Sequence, residues 1–278
     1  MTRLEFLVRA GASAAALAFG GATYAYAVER EWVEVTRRTV ILKGWPAAFD
    51  GVRVAHLTDL HHSPIVPIEY LESCVALVNA ERPDLLALTG DYITKGKGEE
   101  FIQPVAAAVG RLAAPLGVFA TLGNHDVWVD APAVHEALAR HGCLVLRNRA
   151  IEIARPSGRL TVVGLGDLWT EDVDFRSAFN GVPEGRSSLI LMHNPDSFER
   201  WPSGRPGLIL AGHTHGGQLA LPGFGPPYVP SRYGRKYARG LFQKPRATMY
   251  VNRGLGVLHL PARFFARPEI ALFTIRSA

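Results

Sequence analysis

The chain has 278 residues, is 48% hydrophobic, 20% charged and 9% aromatic, and carries a formal net charge of +5. This excludes a disordered or collagen-like chain and leaves room for one large domain or two small ones around a buried core. Two cysteines, Cys74 and Cys143, are too few for a cysteine-rich zinc module or a disulfide-stapled miniprotein, and two unpaired buried thiols are expected.

Ala10 to Val28 contains no charged residue, Arg3 and Arg9 precede it, and Ala25-Tyr26-Ala27 has the small-x-small form of a cleavage site. Residues 1–28 therefore read as a signal peptide or N-terminal membrane anchor, just long enough to span a bilayer. The alternative is an Ala-rich helix buried in the domain. The start, Thr2-Arg3-Leu4-Glu5-Phe6-Leu7, resembles a twin-arginine export signal with its second arginine replaced by leucine. Arg30, Arg37, Arg38 and Lys43 follow the segment, and the positive-inside rule weighs against export. The face of the membrane is thus left open.

Residues 29–50 form a leader, with Glu31 to Leu42 as an edge strand. From Gly51 strands and helices alternate: strand Val52 to Leu57, helix Ile68 to Asn79, strand Leu85 to Leu88, helix Phe101 to Leu112, strand Gly117 to Leu122, and a helix from Pro132 to His141 with proline in its first turn. That order predicts an α/β core with parallel strands. The second half is denser in strands: Cys143 to Leu146, Ile151 to Ile153, Leu160 to Leu165, Leu189 to Met192, Leu208 to Leu210, Thr248 to Val251 and Ile270 to Ile275. They predict a second sheet packed on the first, with Pro222 to Gly234 as a long loop. Residues 51–278 are expected to make one domain.

Five polar clusters follow strand ends: Asp59-Leu60-His61, Gly90-Asp91, Gly123-Asn124-His125-Asp126, His193-Asn194 and Gly212-His213-Thr214-His215. In open α/β sheets ligands bind beyond the carboxyl ends of strands. Carboxylates, imidazoles and an amide, with no thiolate, suit Mn, Fe or Zn. The two-residue spacing in Asp59/His61 and His213/His215 puts both members of each pair on one face of an extended chain. A lone strand-end histidine is ordinarily a hydrogen-bonded core residue; five clusters in this order are a stronger signal. Outside them, His56 reads as a sheet histidine, His62 as solvated or supporting, His259 as a candidate pocket residue, and Asp167 as either a cleft border or a turn cap.

These motifs resemble those of the calcineurin-like metallophosphoesterase superfamily, from Gly51 to about Ile275. The resemblance implies a four-layer αββα sandwich of two mixed β-sheets flanked by helices. It implies two divalent ions, Mn favoured over Fe or Zn. Asp59, His61 and His215 would ligate the first ion, Asp91 would bridge, and Asn124, His193 and His213 would ligate the second. His125 matches the catalytic histidine and Asp126 the acid that orients it. His61 disfavours the purple-acid branch, which lacks a histidine there.

Further motifs, among them Gly216-Gly217-Gln218-Leu219, Tyr250-Val251-Asn252-Arg253-Gly254-Leu255-Gly256 and Arg267-Pro268-Glu269-Ile270, resemble the branch of membrane-tethered or exported bacterial phosphodiesterases that includes UDP-2,3-diacylglucosamine pyrophosphatases. That implies cleavage of a phosphodiester or pyrophosphate bond in a lipid-linked substrate such as UDP-2,3-diacylglucosamine, in lipid A synthesis. From Tyr228 onward ten lysines and arginines face one acid, Glu269, a balance of +9, whereas the first 227 residues carry −4. Gln218, Arg232, Arg235 and Arg253 are the candidate substrate contacts, and basic plus aromatic residues suit an anionic membrane surface. A general phosphodiesterase or nuclease is the alternative; no nucleic-acid module is recognisable. A ligand-retaining scaffold of the same fold is the non-enzyme alternative. The sequence leaves the oligomeric state open.

Overall fold

The computed structural model describes every residue except 97. Helix α1, Arg3–Ala27, opens on a capping box: Thr2 Oγ1 accepts from the Glu5 N–H, and the Glu5 carboxylate accepts from the Thr2 N–H. It is long and apolar enough to cross a membrane, and Ala25 is its one buried residue. The reading as a buried core helix is thereby set aside.

The remaining chain forms two six-stranded sheets. The first holds β1 (Glu34–Leu42), β12 (Glu269–Ser277), β2 (Val52–Leu57), β3 (Leu85–Thr89), β4 (Val118–Thr121) and β5 (Leu144–Val145), in that spatial order. The second runs β10 (Gly240–Lys244), β11 (Ala247–Val251), β9 (Gly207–Ala211), β8 (Ser188–Leu191), β7 (Gly158–Gly164) and β6 (Arg149–Arg155). Both are mixed: β12 runs antiparallel to β2, and the hairpins β6–β7 and β10–β11 flank a parallel centre. The expected edge strand exists as β1, paired in parallel with β12.

Three apolar layers hold the sandwich together. Helices α2 (Ile68–Ala80), α3 (Ile102–Val109) and α4 (Asn124–Arg140) pack Leu71, Val75, Val105 and Leu138 on one face of the first sheet, against Ala55, Leu57, Leu86 and Leu88. Between the sheets, Val54, Leu85, Phe119 and Phe273 meet Val162, Leu189, Leu208 and Tyr250. Strands covered on both faces read as continuous apolar runs, which is why Leu85 to Leu88 shows no alternation. The outer face of the second sheet is covered by short pieces: α5 (Phe175–Ala178) and 3-10 turns at Pro195–Arg200 and Gly234–Tyr237, with Phe179, Phe198, Trp201 and Tyr237 as the filling. The second helical layer is thus present but thin. Cys74 and Cys143 are both buried and free.

Two expectations shift. Helix α4 begins at Asn124 rather than Pro132, because two helical segments meet at a kink at Asp130 (φ −165°, ψ 90°). The Asp130 carboxylate accepts from the Ala133 N–H and caps the second segment, with Pro132 in its first turn as expected. Strand β10 was not anticipated; it follows the long loop and pairs back on β11 through a tight turn with Arg246 at φ +72°.

Candidate metal centre

The central strands of both sheets end at one edge of the sandwich, and the polar clusters leave the sheets there. Asp59 and His61 follow β2, Asp91 follows β3, Asn124 follows β4, His193 follows β8, and His213 and His215 follow β9. All seven are buried. Five of them, Asp59, His61, Asp91, His213 and His215, have left-handed backbone, with φ between +52° and +70°. That conformation is rare for residues with a side chain, and strain of this kind collects at functional sites.

Their ligand atoms form two triads, Asp59/His61/His215 and Asp91/His193/His213, each within 4.8 Å. In the first, His61 Nε2 and His215 Nε2 lie 3.2 Å apart, and His215 Nε2 is 3.4 Å from Asp59 Oδ1. In the second, His193 Nε2 is 3.1 Å from Asp91 Oδ2, 3.2 Å from His213 Nδ1 and 3.2 Å from Asn124 Oδ1. Asp91 Oδ2 also lies 3.6 Å from His61 Nε2, so this carboxylate stands between the triads.

The electrostatics suit cations. Burial holds the His61 and His215 imidazoles well below their ordinary pKa and takes His213 down to about 3, so all three are neutral with lone pairs available. Burial, together with the Asp91 charge, pushes Asp59 up to about 6. Burial also opposes ionisation of Asp91, but His193, His125 and His61 around it outweigh that and hold it well below the usual range. His193 donates from Nδ1 to the Thr89 carbonyl at 2.7 Å, which turns Nε2 toward the triad. The fourth imidazole, His193, is held well above its ordinary pKa: burial opposes its charge, but the Asp91 carboxylate beside its Nε2 outweighs burial, so a cation held by Asp91 would take the place of that proton. Two buried carboxylates, four imidazoles and an amide oxygen form a hard donor set that a divalent ion would complete, so the residues fit the expected pair of metals.

Packing leaves these carboxylates one position each. A Cβ on Gly212 would sit 2.2 Å from Asp59 Oδ2, and one on Gly123 would sit 2.3 Å from Asp91 Oδ1. Thr58 Oγ1 and the His213 N–H both donate to Asp59.

His125 and Asp126 part company. Asp126 is the third residue of α4, and its carboxylate turns back toward the helix start. It accepts from the N–H groups of Gly123, Asp91 and Tyr92 at 2.8–2.9 Å and of Ile93 at 3.4 Å. It therefore holds the backbone of the Asp91 loop and makes no hydrogen bond to the His125 ring, which corrects its expected role. Burial and the Asp91 charge push its pKa up to about 8, while these donors favour the charged form. We assign the carboxylate, because its oxygens meet only N–H donors and an acid O–H would find no acceptor. The His125 ring is fixed from elsewhere: its Nδ1 accepts from the Lys95 N–H at 2.9 Å, and it packs on Trp128 and edge-on to His61. With Nδ1 accepting, the proton of the neutral ring is assigned to Nε2. Burial lowers the His125 pKa, which favours that neutral form.

The triads open into a cleft of about 680 Å³. Asp91, His125, His213 and His215 lie in its wall, together with Lys95, Trp128, Trp169 and Tyr228 and the apolar Leu219, Leu258 and Leu260. Trp128 and Trp169 stack at 6.0 Å, and the Lys95 ammonium sits 4.6 Å from the Trp128 ring centroid.

The expected substrate contacts separate. Gln218 lines the cleft, but its amide donates to the carbonyls of Leu258 and Leu260 and accepts from the Leu258 N–H, so it shapes the wall. Arg232 borders an adjoining depression beside Trp128 and Trp169, its N–H held by Asp196. Arg235 donates to the Phe224 carbonyl outside the cleft. Arg253 is paired with Glu34 at 2.7 Å and Glu269 at 3.0 Å, and this commitment removes it from substrate binding. His62 is buried, its ring bonded to the Val66 carbonyl. His56 is a sheet histidine against Thr89, His259 is an exposed cleft residue, and Asp167 caps the turn at Trp169 and Thr170.

Sequence reasoning missed Arg263, the largest fully buried side chain. Its guanidinium donates to the carbonyls of Gly256 (2.5 Å), Ala266 (2.7 Å) and Arg253 (2.9 Å), and reaches the His215 carbonyl at 3.5 Å. An arginine within an aromatic, apolar segment, Leu258 to Ala266, was the available signal.

A family model described as calcineurin-like phosphoesterase matches residues 52–217. The chain is 34% identical to YkuE, a metallophosphoesterase of Bacillus subtilis, over 100% of this chain and 98% of that protein. It is 34% identical to the phosphodiesterase YaeI of Escherichia coli, over 99% of each. With the UDP-2,3-diacylglucosamine pyrophosphatase LpxG of Chlamydia trachomatis it shares 28% identity over 88% of this chain and 90% of that one.

Proposed function

The chain belongs to the calcineurin-like phosphoesterase family and is a metal-dependent phosphoric ester hydrolase, and from that premise we propose that it cleaves a phosphodiester or pyrophosphate bond in an amphiphilic, lipid-linked substrate. The observation that supports this reading is one cleft lined by members of both triads, His215 of the first and Asp91 and His213 of the second, and by an apolar wall. Asp59, His61 and His215 would hold one ion and Asn124, His193 and His213 the other, with Asp91 placed to serve both; Mn is our preferred metal. Such a pair, when bound, would supply a nucleophile near neutral pH and offset charge on the phosphoryl oxygens.

The chain's own groups do the rest. The Nε2–H of His125, whose ring lines the cleft, donates a hydrogen bond to a phosphoryl or leaving-group oxygen and stabilises the charge that develops there. Lys95 and Arg232 meet the phosphate charge at the rim. Trp128 and Trp169 offer flat faces to a planar group on one side of the bond, and Leu219, Leu258 and Leu260 exclude water on the other. Supporting a lipid-linked substrate are this wall, the apolar α1 and the LpxG likeness. We place the protein at a membrane surface through residues 1–28.

The test is a substrate panel with purified, Mn-loaded protein: UDP-2,3-diacylglucosamine, a phospholipid, a nucleotide and bis(p-nitrophenyl) phosphate. Release of UMP from the first, at a kcat/KM well above that for the simple diester, is expected. Turnover of the simple diester alone would refute the lipid-linked reading and leave a general phosphodiesterase.

A further inference from the structure

The C-terminal end of α1 is gripped by the segment Arg263 to Ala266, which lies behind the wall of the cleft. The Arg263 N–H donates to the Ala25 carbonyl at 3.0 Å, and the Ala266 N–H donates to the buried Glu29 carboxylate at 2.8 Å. Tyr24 packs edge-on against Phe264 at 6.4 Å, and the Phe264 ring lies 3.9 Å from where a Cβ on Gly21 would stand. The gripping segment is joined to the cleft: Leu219 bridges Phe264, and Arg263 reaches from there to the His215 carbonyl. Cleavage after Ala27 would separate Ala25 and Tyr24 from these partners.

The loops beside this junction expose large apolar side chains. Phe224 is 79% exposed, Tyr228 72%, Leu260 57%, and Leu221 and Phe265 52% each. They sit on backbone tied to the junction: Leu221 pairs with Gly225 directly after the Leu219–Phe264 bridge, Gln218 holds the Leu260 carbonyl, and Phe265 follows Phe264. Single exposed apolar residues need no explanation, but a cluster on one rim does. The exposed Arg232, Arg235 and Arg239 lie in the same stretch and form no salt bridge among the described residues. Arg235 and Arg239 donate to the carbonyls of Phe224 and Phe265, which sets their charges beside the apolar tips, and that combination matches the interface of an anionic bilayer in both polarity and charge.

We infer that α1 stays on the mature protein and that its end, together with the apolar rim, forms one bilayer-contact face, so that the metal cleft opens along the lipid surface. The inference concerns how the cleft is presented and stands whichever phosphoester is cleaved. The occupant is the lipid itself: α1 is already a bilayer-length apolar element, and the rim is continuous with its end.

The experiment uses the full chain in vesicles of equal parts phosphatidylethanolamine and phosphatidylglycerol. Cys74 and Cys143 are buried, so single cysteines introduced by Phe224→Cys, Leu260→Cys and Ser157→Cys accept a fluorescent label selectively. Ser157, in the β6–β7 turn at the strand ends away from the cleft, is the control. Probes at 224 and 260 are expected to lose at least half of their emission to nitroxide-labelled lipid, and the probe at 157 to lose none. Equal behaviour at all three would overturn the contact face. Intact-mass analysis of the membrane-bound protein is expected to retain residues 1–27, and a mature chain beginning after Ala27 would overturn the retained helix. Leu221→Ser/Phe224→Ser should leave turnover of soluble bis(p-nitrophenyl) phosphate unchanged while reducing turnover of a vesicle-borne phosphodiester about tenfold, which separates failure of the face from failure of the hydrolase reading. Equal rates on the vesicle substrate would count against the face.

Discussion

Asp126 offers the sharpest test of how the site is held. In one account it orients the His125 ring; in the structure it accepts four backbone N–H groups and fixes the Asp91 loop. Asp126→Asn keeps the shape, retains one acceptor oxygen and turns an NH2 group toward donors. Two of the four bonds are then lost, and each hydrogen bond to a charged group is worth about 1.5–3 kcal/mol. Allowing for relaxation, we expect a loss of about 3 kcal/mol in stability, and a fall in metal affinity of roughly 10–100-fold as the Asp91 carboxylate is displaced. His125→Ala should retain both metals and lose about 10²–10⁴ in kcat. The decisive assay is the double variant His125→Ala/Asp126→Asn, with kcat/KM for a simple diester measured at saturating metal and metal affinity by titration. If Asp126 acts on the loop, the affinity loss appears with or without the ring, and the rate effects add. A double variant no worse than His125→Ala in both rate and metal affinity would refute our assignment and restore the orienting role.

Other outcomes follow from the same contacts. Gly212→Ala and Gly123→Ala, each placing a methyl within 2.3 Å of a carboxylate oxygen, should lower bound metal below two per chain by elemental analysis. Removing metal with a chelator should lower Tm, since buried carboxylates lose their counter-charges; readdition of Mn should restore it. Glu269→Gln breaks a buried cluster with Arg253, Tyr250 and Thr36 and should cost about 3 kcal/mol at neutral pH in urea unfolding. Burial opposes the Glu269 charge, but Arg253 and the two hydroxyls outweigh it and lower its pKa. Its stabilisation is therefore full above the ordinary glutamate range of about 4.3 and lost as pH falls through the lower folded value. Wild type and variant should converge in acid.

What could be read from sequence was whatever repeats with the period of an element. Strand β2 has the predicted ends, Val52 and Leu57, because six residues buried on both faces leave a clear apolar run. The candidate ligands were visible because they fall where such runs stop. Elements and contacts set by distant partners were hidden. Strand β10 is short and exists by pairing with β11. Trp128 arrives at the cleft from α4, and Trp169 and Lys95 arrive from two separate loops. Asp126 stands beside His125 in the chain, yet helical geometry sends adjacent side chains about 100° apart, so adjacency was a poor guide to partnership.

The left-handed backbone at five candidate ligands links fold and chemistry. Each strained residue costs on the order of 1–3 kcal/mol, which no isolated loop would sustain. Here the strain is held by the sheets: Asp59 N–H bonds to the Gly90 carbonyl, His61 N–H to the Asp91 carbonyl, and Gly256 N–H to the Asp59 carbonyl, so the turn after β2 is laced to those after β3 and β11. The His213 N–H, from the second sheet, closes on the Asp59 carboxylate. A turn of this kind aims a side chain back over the strand end, where an extended exit would carry it away. The two-sheet core thus does more than support the site. It holds seven side chains from five separate turns around one point, and that convergence is what a run of polar residues at strand ends cannot achieve without it.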